Sequence, residues 1–187
     1  MAYRKTPLNP GEYYHIYNRG NNRQTIFFER DNYIYFLHKL RHYLIEPQHI
    51  HLIAYCLIPN HYHLLIHLNS QEFSQAMRKF SLSYTKAINK KYQRVGSLFQ
   101  GPFQSCHVNS NPYLLHLSRY IHLNPVEHHV TNPADWEFSS YPDYLKQRQG
   151  TLPQSHIILQ QFPTLHAYRS FVEQSTPTPS LSHLIME

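Results

Sequence analysis

The chain has 187 residues, enough for one domain with a real core, and carries 17 basic against 11 acidic side chains, a net charge of +6. A pI near 9.3 favours a polyanionic partner, nucleic acid before membrane, because no amphipathic basic helix of the membrane-binding type stands out. No run reaches membrane-spanning length, the N-terminus MAYRKTPLNPGEYY has no apolar signal core, and Cys56 and Cys106 lie too far apart to form a metal-type pair, so a soluble, cytoplasmic protein is expected.

In chain order, residues 1–11 are polar and punctuated by Pro7, Pro10 and Gly11. Glu12–Asn18 alternates aromatic and polar residues and predicts a strand. Arg19-Gly20-Asn21-Asn22-Arg23 is a turn-rich basic loop before Ile26-Phe27-Phe28. Asp31 is a candidate cap for a helix over 32–44, with Tyr33, Phe36, Leu37, Leu40 and Leu44 on one stripe. Two apolar strands follow, 50–58 and 61–68, joined by a Pro59-Asn60 turn. A helix over 71–91 buries Phe73, Met77, Phe80, Tyr84 and Ile88 and shows Arg78, Lys79, Lys86, Lys90 and Lys91 elsewhere. A loop through Leu98-Phe99-Gln100-Gly101 leads to a short strand at 103–108. Asn111-Pro112 opens a third helix, expected to stop near Asn124 because Pro125 disfavours helical geometry at the residue before it. Residues 131–145 predict packing loops around Trp136, and the rest reads as an extension with one helix over 164–174. The order predicts an α+β fold, a ferredoxin-like antiparallel sheet with helices packed on it. The domain is expected over 1–145, with 146–187 a partly helical C-terminal extension.

The chemistry concentrates in Pro59-Asn60-His61-Tyr62-His63-Leu64-Leu65-Ile66. Alternation along a strand puts His61 and His63 on one face, roughly 7 Å apart along the backbone, and Tyr62 on the other. Two such imidazoles can grip one metal ion, or be two ordinary strand histidines in a chain with 16 of them. On the third helix, His116, Tyr120 and Asn124 recur every four residues and share a face, while Leu114, Leu117 and Ile121 supply the inward side. A solvated helix face accounts for that polar row taken alone. Placed opposite His61 and His63, however, the Asn124 carbonyl oxygen completes a site for a divalent ion with positions open to phosphate oxygens. Tyr120 Oη can then attack phosphorus, with His116, His122 or Arg119 as candidates to assist its deprotonation.

The sequences PNHYHLLI (59–66) and RYIHLNPV (119–126) resemble the single-tyrosine HUH transposases, and more narrowly the REP-associated tyrosine transposases. YHIYNRG (14–20), LFQG (98–101) and WEFSSY (136–141) support the likeness, which runs in order over residues 12–145. The resemblance implies metal-dependent cleavage and rejoining of single-stranded DNA through a 5′-phosphotyrosine link, on hairpin-forming repeats. It makes Tyr120 the nucleophile and His61, His63 and Asn124 the ligands of Mg²⁺ or Mn²⁺; insertion-sequence relatives often carry Gln where this chain has Asn124. Two departures in kind remain as competing readings: a hairpin-binding protein without turnover, and a zinc hydrolase, for which the chain has neither HExxH nor paired carboxylates. Arg19, Arg23, Arg78, Lys79, Lys86, Lys90, Lys91 and Arg94 are candidate DNA-phosphate contacts. Pro102 stands where the family pattern leads one to expect a basic residue. A monomer is favoured over a homodimer.

Overall fold

The computed structural model describes residues 7–127 and 132–174. The leading residues 1–6, residues 128–131 and residues 175–187 of the extension lie outside the described residues. Four strands form one sheet: β1 (Tyr13–Arg19), β2 (Ile50–Ile58), β3 (His61–Leu68) and β4 (Gln104–Val108), in the order β2-β3-β1-β4, every pair antiparallel. With α1 (Arg30–Leu40) between β1 and β2, and α2 (Phe73–Lys91) between β3 and β4, this is the ferredoxin-like α+β arrangement. Among the described residues no helix is long and apolar enough to cross a membrane.

Strand alternation sends Tyr14, Ile16, Tyr62, Leu64 and Ile66 to one side, where they pack with Phe36 and Leu40 of α1 and Phe73, Met77, Phe80 and Tyr84 of α2. The opposite side is covered by α3 (Asn111–Glu127) together with α4 (Tyr141–Tyr144), α5 (His156–Leu159) and α6 (Leu165–Glu173). Leu65, Leu117, Ile121, Tyr141, Tyr144, Ile158, Tyr168 and Val172 fill that second core. Alternation lets β2 feed both cores, and a register shift between Leu52 and Ala54 resets its phase: Leu52, Tyr55 and Leu57 join the first core, while the consecutive Ile53 and Ala54, with Cys56 and Ile58, join the second.

Three expectations are corrected. Helix α1 begins at Arg30, not 32, because Glu29 caps it in a reciprocal box with Asn32; Asp31 sits inside the first turn. Past Leu40 the chain widens into a π-helical turn over Arg41–Ile45, which keeps Leu44 fully buried. Helix α3 runs through Pro125 to Glu127 rather than stopping at Asn124. Proline near a helix end removes one N–H from the last turns only, and Pro125 is buried.

The segment around Trp136 closes the outer edge of β2. Trp136 Nε1 donates to Leu57 O at 2.8 Å, Leu57 N donates to Phe138 O at 2.9 Å, and Ser140 N donates to Tyr55 O at 2.9 Å. An edge that would otherwise offer open backbone groups is thereby paired.

Candidate active site

His61 and His63 open β3 and lie on the α3 side of the sheet, while Tyr62 is buried against Phe36 on the other. Their rings are 4.8 Å apart between centroids and nearly perpendicular. Each Nδ1 is engaged: that of His61 lies 2.8 Å from Asn60 Oδ1, and that of His63 lies 2.8 Å from Nε2 of His15 on β1. Since Asn60 Oδ1 can only accept, His61 carries its proton on Nδ1, which leaves the ring lone pair on Nε2. His15 is fully buried, and burial first, then the neighbouring His61, hold its pKa down to about 3, so it is a neutral imidazole.

Helix α3 lays Tyr120 over this pair. The Tyr120 ring is 5.4 Å from that of His63 and 6.4 Å from that of His15, edge-on to both. One turn further on, Asn124 is 1% exposed, and its Oδ1 has no hydrogen-bond partner among the described residues. A buried amide oxygen left unpaired costs about 1–3 kcal/mol, so its retention one helical turn from Tyr120 suits a cation ligand better than a packing role. Two imidazoles and an amide oxygen form a donor set that accepts divalent ions and leaves coordination positions for phosphate oxygens. Among the described residues no three His, Cys, Asp or Glu side chains converge on a metal-sized site, so an ion at the histidine pair would need a further donor of another kind, such as an amide oxygen. The row of His116, Tyr120 and Asn124 is therefore no solvated face: Tyr120 and Asn124 are buried between the sheet and the covering helices.

The other distinctive segments meet at the same end of the sheet. Asn18 Nδ2 donates to Gly101 O at 3.0 Å, Gln100 N donates to Arg19 O at 3.0 Å, and Asn21 N donates to Leu98 O at 2.9 Å. Gly20 N donates to Asn60 O at 2.8 Å, tying the basic loop to the turn that precedes His61. A Cβ on Gly20 would lie 1.9 Å from Gln24 O, so only glycine lets the loop fold back this tightly.

The candidates for assisting Tyr120 are placed differently from the expectation. His122 is fully buried on the far side of α3, with Nδ1 2.7 Å from Tyr168 Oη and Nε2 2.8 Å from Ser140 Oγ. Burial holds its pKa down to about 3. Arg119 donates from Nε to Phe171 O at 2.9 Å and from Nη2 to Gln174 O, which ties α3 to the end of α6. His116 lies against Phe171, 5.4 Å between ring centroids. Arg119 and His122, close to Tyr120 and Asn124 in sequence, are rotated about the helix axis away from them, and His116, one turn before Tyr120, packs against α6.

The basic set divides as well. Arg19 is directly across from His61 on β1 and bonds Gln100. Arg23 is exposed in the loop beside Asn60. Arg78, Lys79, Lys86 and Lys90 are exposed on α2, on the opposite side of the sheet from Tyr120. Lys91 pairs with Glu29, and Arg94 donates to Gln24 Oε1 at 2.7 Å and lies over Phe28. Arg78 and Pro102 border one groove of about 400 Å³ with Met77, Gly101 and Phe103. His15 is the residue whose place in the site no spacing rule could supply, since its bond to His63 crosses 48 residues of chain.

A ferredoxin-like sheet carrying a histidine pair under a helix tyrosine places the protein in the class of single-tyrosine transposases. Residues 10–124 match the family described as IS200-like transposases, and the chain belongs to that family. Its fold is shared with a solved structure of a REP-associated tyrosine transposase bound to a REP hairpin, at a TM-score of 0.67 and 20% identity, covering 79% of this chain and 87% of that one. No curated protein matches the chain's sequence.

Proposed function

We propose that this transposase-family protein nicks and rejoins single-stranded DNA at hairpin-forming repeats. Tyr120 Oη attacks the scissile phosphorus, the bond from phosphorus to the 3′ oxygen breaks, and the departing oxygen takes a proton to become a free 3′-hydroxyl. The 5′ phosphate is left on Tyr120 as a phosphodiester, so a 3′-hydroxyl can attack it in turn and reseal DNA without another energy source. His61, His63 and Asn124 would hold Mg²⁺ or Mn²⁺, which when bound supplies neutralisation of the charge building on the phosphate. The observation that carries this reading is the placement of the Tyr120 ring 5.4 Å from His63, with the unpaired Asn124 oxygen one turn away.

The chain's own residues do the orienting. Asn60 fixes the His61 ring, and α3 is held by its apolar face and by Arg119, so Tyr120 has little freedom to leave its position. The phenol comes from the same chain as the histidines, and a monomer therefore suffices. Arg19, beside His61, and Arg23 are the best placed of the basic set to meet phosphates at the cleavage point, while Arg78 brings positive charge to the groove that Pro102 borders. The hairpin partner is supported by the family and by the fold shared with a hairpin-bound transposase.

Labelled single-stranded hairpins from the gene's own flanks, incubated with Mg²⁺ or Mn²⁺ and run on a denaturing gel, test this directly. A protein-linked band that needs the ion and disappears in Tyr120→Phe is expected. Hairpin binding without such a band under either ion would leave a binding protein rather than an enzyme.

A further inference from the structure

A neutral imidazole has one ring proton, and it can offer Nε2 to a cation only when that proton sits on Nδ1. For His61 a near neighbour in sequence, Asn60, makes that choice. For His63 the group facing Nδ1 is His15 Nε2, at 2.8 Å, contributed by the adjacent strand. We propose that His15 is a positioning residue: its Nε2 accepts the Nδ1–H of His63, locking the tautomer and ring orientation that aim His63 Nε2 at the ion.

Three observations support the assignment. His15 is held rigidly, fully buried in the middle of β1, opposite Leu65 of β3 and Cys106 of β4, with its ring stacked on Tyr17 at 4.8 Å. The two imidazoles lie 5.0 Å apart between centroids, inclined by 21°, so their pairing sets the direction of the His63 ring as well as its proton. Finally, the arrangement is a poor one for packing alone. Accepting at Nε2 leaves the His15 proton on Nδ1, a buried atom with no hydrogen-bond partner among the described residues. An apolar residue would fill the same place without that penalty, as Leu65 does next to it. Outer partners of ligating histidines have this role in metal sites generally, and their loss weakens metal binding by about 10- to 100-fold.

The inference rests on the reading of His61, His63 and Asn124 as ligands, and the test separates the two. Mn²⁺ is titrated into the full-length protein, without DNA, and free ion is followed by electron paramagnetic resonance for wild type, His15→Leu, His15→Gln and His63→Ala. His15→Leu, which cannot accept a hydrogen bond, is expected to bind Mn²⁺ about 10- to 100-fold more weakly. His15→Gln, whose amide oxygen reaches the position of Nε2, should stay close to wild type. A general loss of structure would not be rescued by Gln, and circular dichroism of the metal-free proteins confirms the fold. Should His15→Leu fail to fold, His15→Asn, polar but too short to reach His63, should show the same weakening. Wild-type affinity in His15→Leu or His15→Asn, with binding lost in His63→Ala, would overturn the role of His15 alone. Wild-type affinity in His63→Ala would overturn the ligand reading, and the role of His15 with it.

Discussion

On the α1/α2 side of the sheet the buried residues are almost all apolar or aromatic, and the buried Tyr84 gives its hydroxyl to Ile26 O at 2.8 Å. On the α3 side the core is interrupted by buried polar groups: His15, His63, Ser118, His122, Asn124 and Ser140. The first side gains from every area of surface it removes from water, at about 25 cal/mol per Å². The second gives up part of that gain to keep imidazoles and an amide inside, the amide oxygen without a partner among the described residues. Both sides belong to the same four strands, so the contrast shows what burying the polar groups of the candidate site costs.

Substitutions can break or sharpen that contrast. The largest effect is expected from His63→Ala, which should abolish the metal-dependent DNA adduct on a denaturing gel; the metal-free protein should also melt lower, because a buried ring is lost and His15 Nε2 is left without its partner. Its counterpart, Phe36→Ala under α1, should cost about 3–5 kcal/mol in urea denaturation yet leave Mn²⁺ affinity of the folded fraction unchanged. Asn124→Leu tests the trade-off within one residue. It should also abolish adduct formation, but leave the metal-free protein neutral to about 2 kcal/mol more stable, because an unsatisfied buried oxygen is removed. A clear destabilisation would mean that Asn124 is structural. Smaller still, replacing Arg78, Lys79, Lys86 and Lys90 by Ala should reduce the salt dependence of hairpin binding, by a slope of about 0.7 for each single-strand phosphate that is no longer neutralised. An unchanged slope would make that side of α2 a solvated face.

Acid should act on the α3 side through His122. Burial holds that imidazole near a pKa of about 3, against the 6.5 of a free one. The native state therefore binds fewer protons than the unfolded chain below pH 6.5, so this contribution is intact above 6.5 and is lost as the pH falls toward 3. Melting temperatures followed from pH 7 to pH 4 should drop, and drop less steeply in His122→Gln, although that variant starts lower for want of its bonds to Tyr168 and Ser140.

The α1/α2 side was legible in the sequence because periodicity reports which residues are buried: Phe73, Met77, Phe80, Tyr84 and Ile88 are all in the core. The two strands of the central hairpin have the boundaries their apolar runs predict. The α3 side was legible only in part. A helix buried on several sides has no polar face to read, so Tyr120 and Asn124 look solvated until the covering helices are present. Arg119 and His122 could be assigned to the site from closeness in sequence, and only the packing of α6 and α4 shows where they turn. Pro125 misled for a related reason: a rule about local backbone preference yields when tertiary packing holds the residue, as it does here. The bond between His15 and His63 depends on strand pairing, which no local pattern encodes.

The Pro59-Asn60 turn has one further implication, for how such a site can vary. Because successive strand residues alternate sides, adding a single residue to β3 between His63 and Leu64, with the rest of the strand held in register, would send both histidines toward α1 and α2 and bring Tyr62 out beneath Tyr120. The position of the histidines is thus a binary quantity: they are on the correct side or on the wrong one, with no intermediate. Length changes in homologous proteins should accordingly accumulate in the loops on either side of this hairpin, or arrive in steps of two, and the hairpin itself should be nearly intolerant of indels.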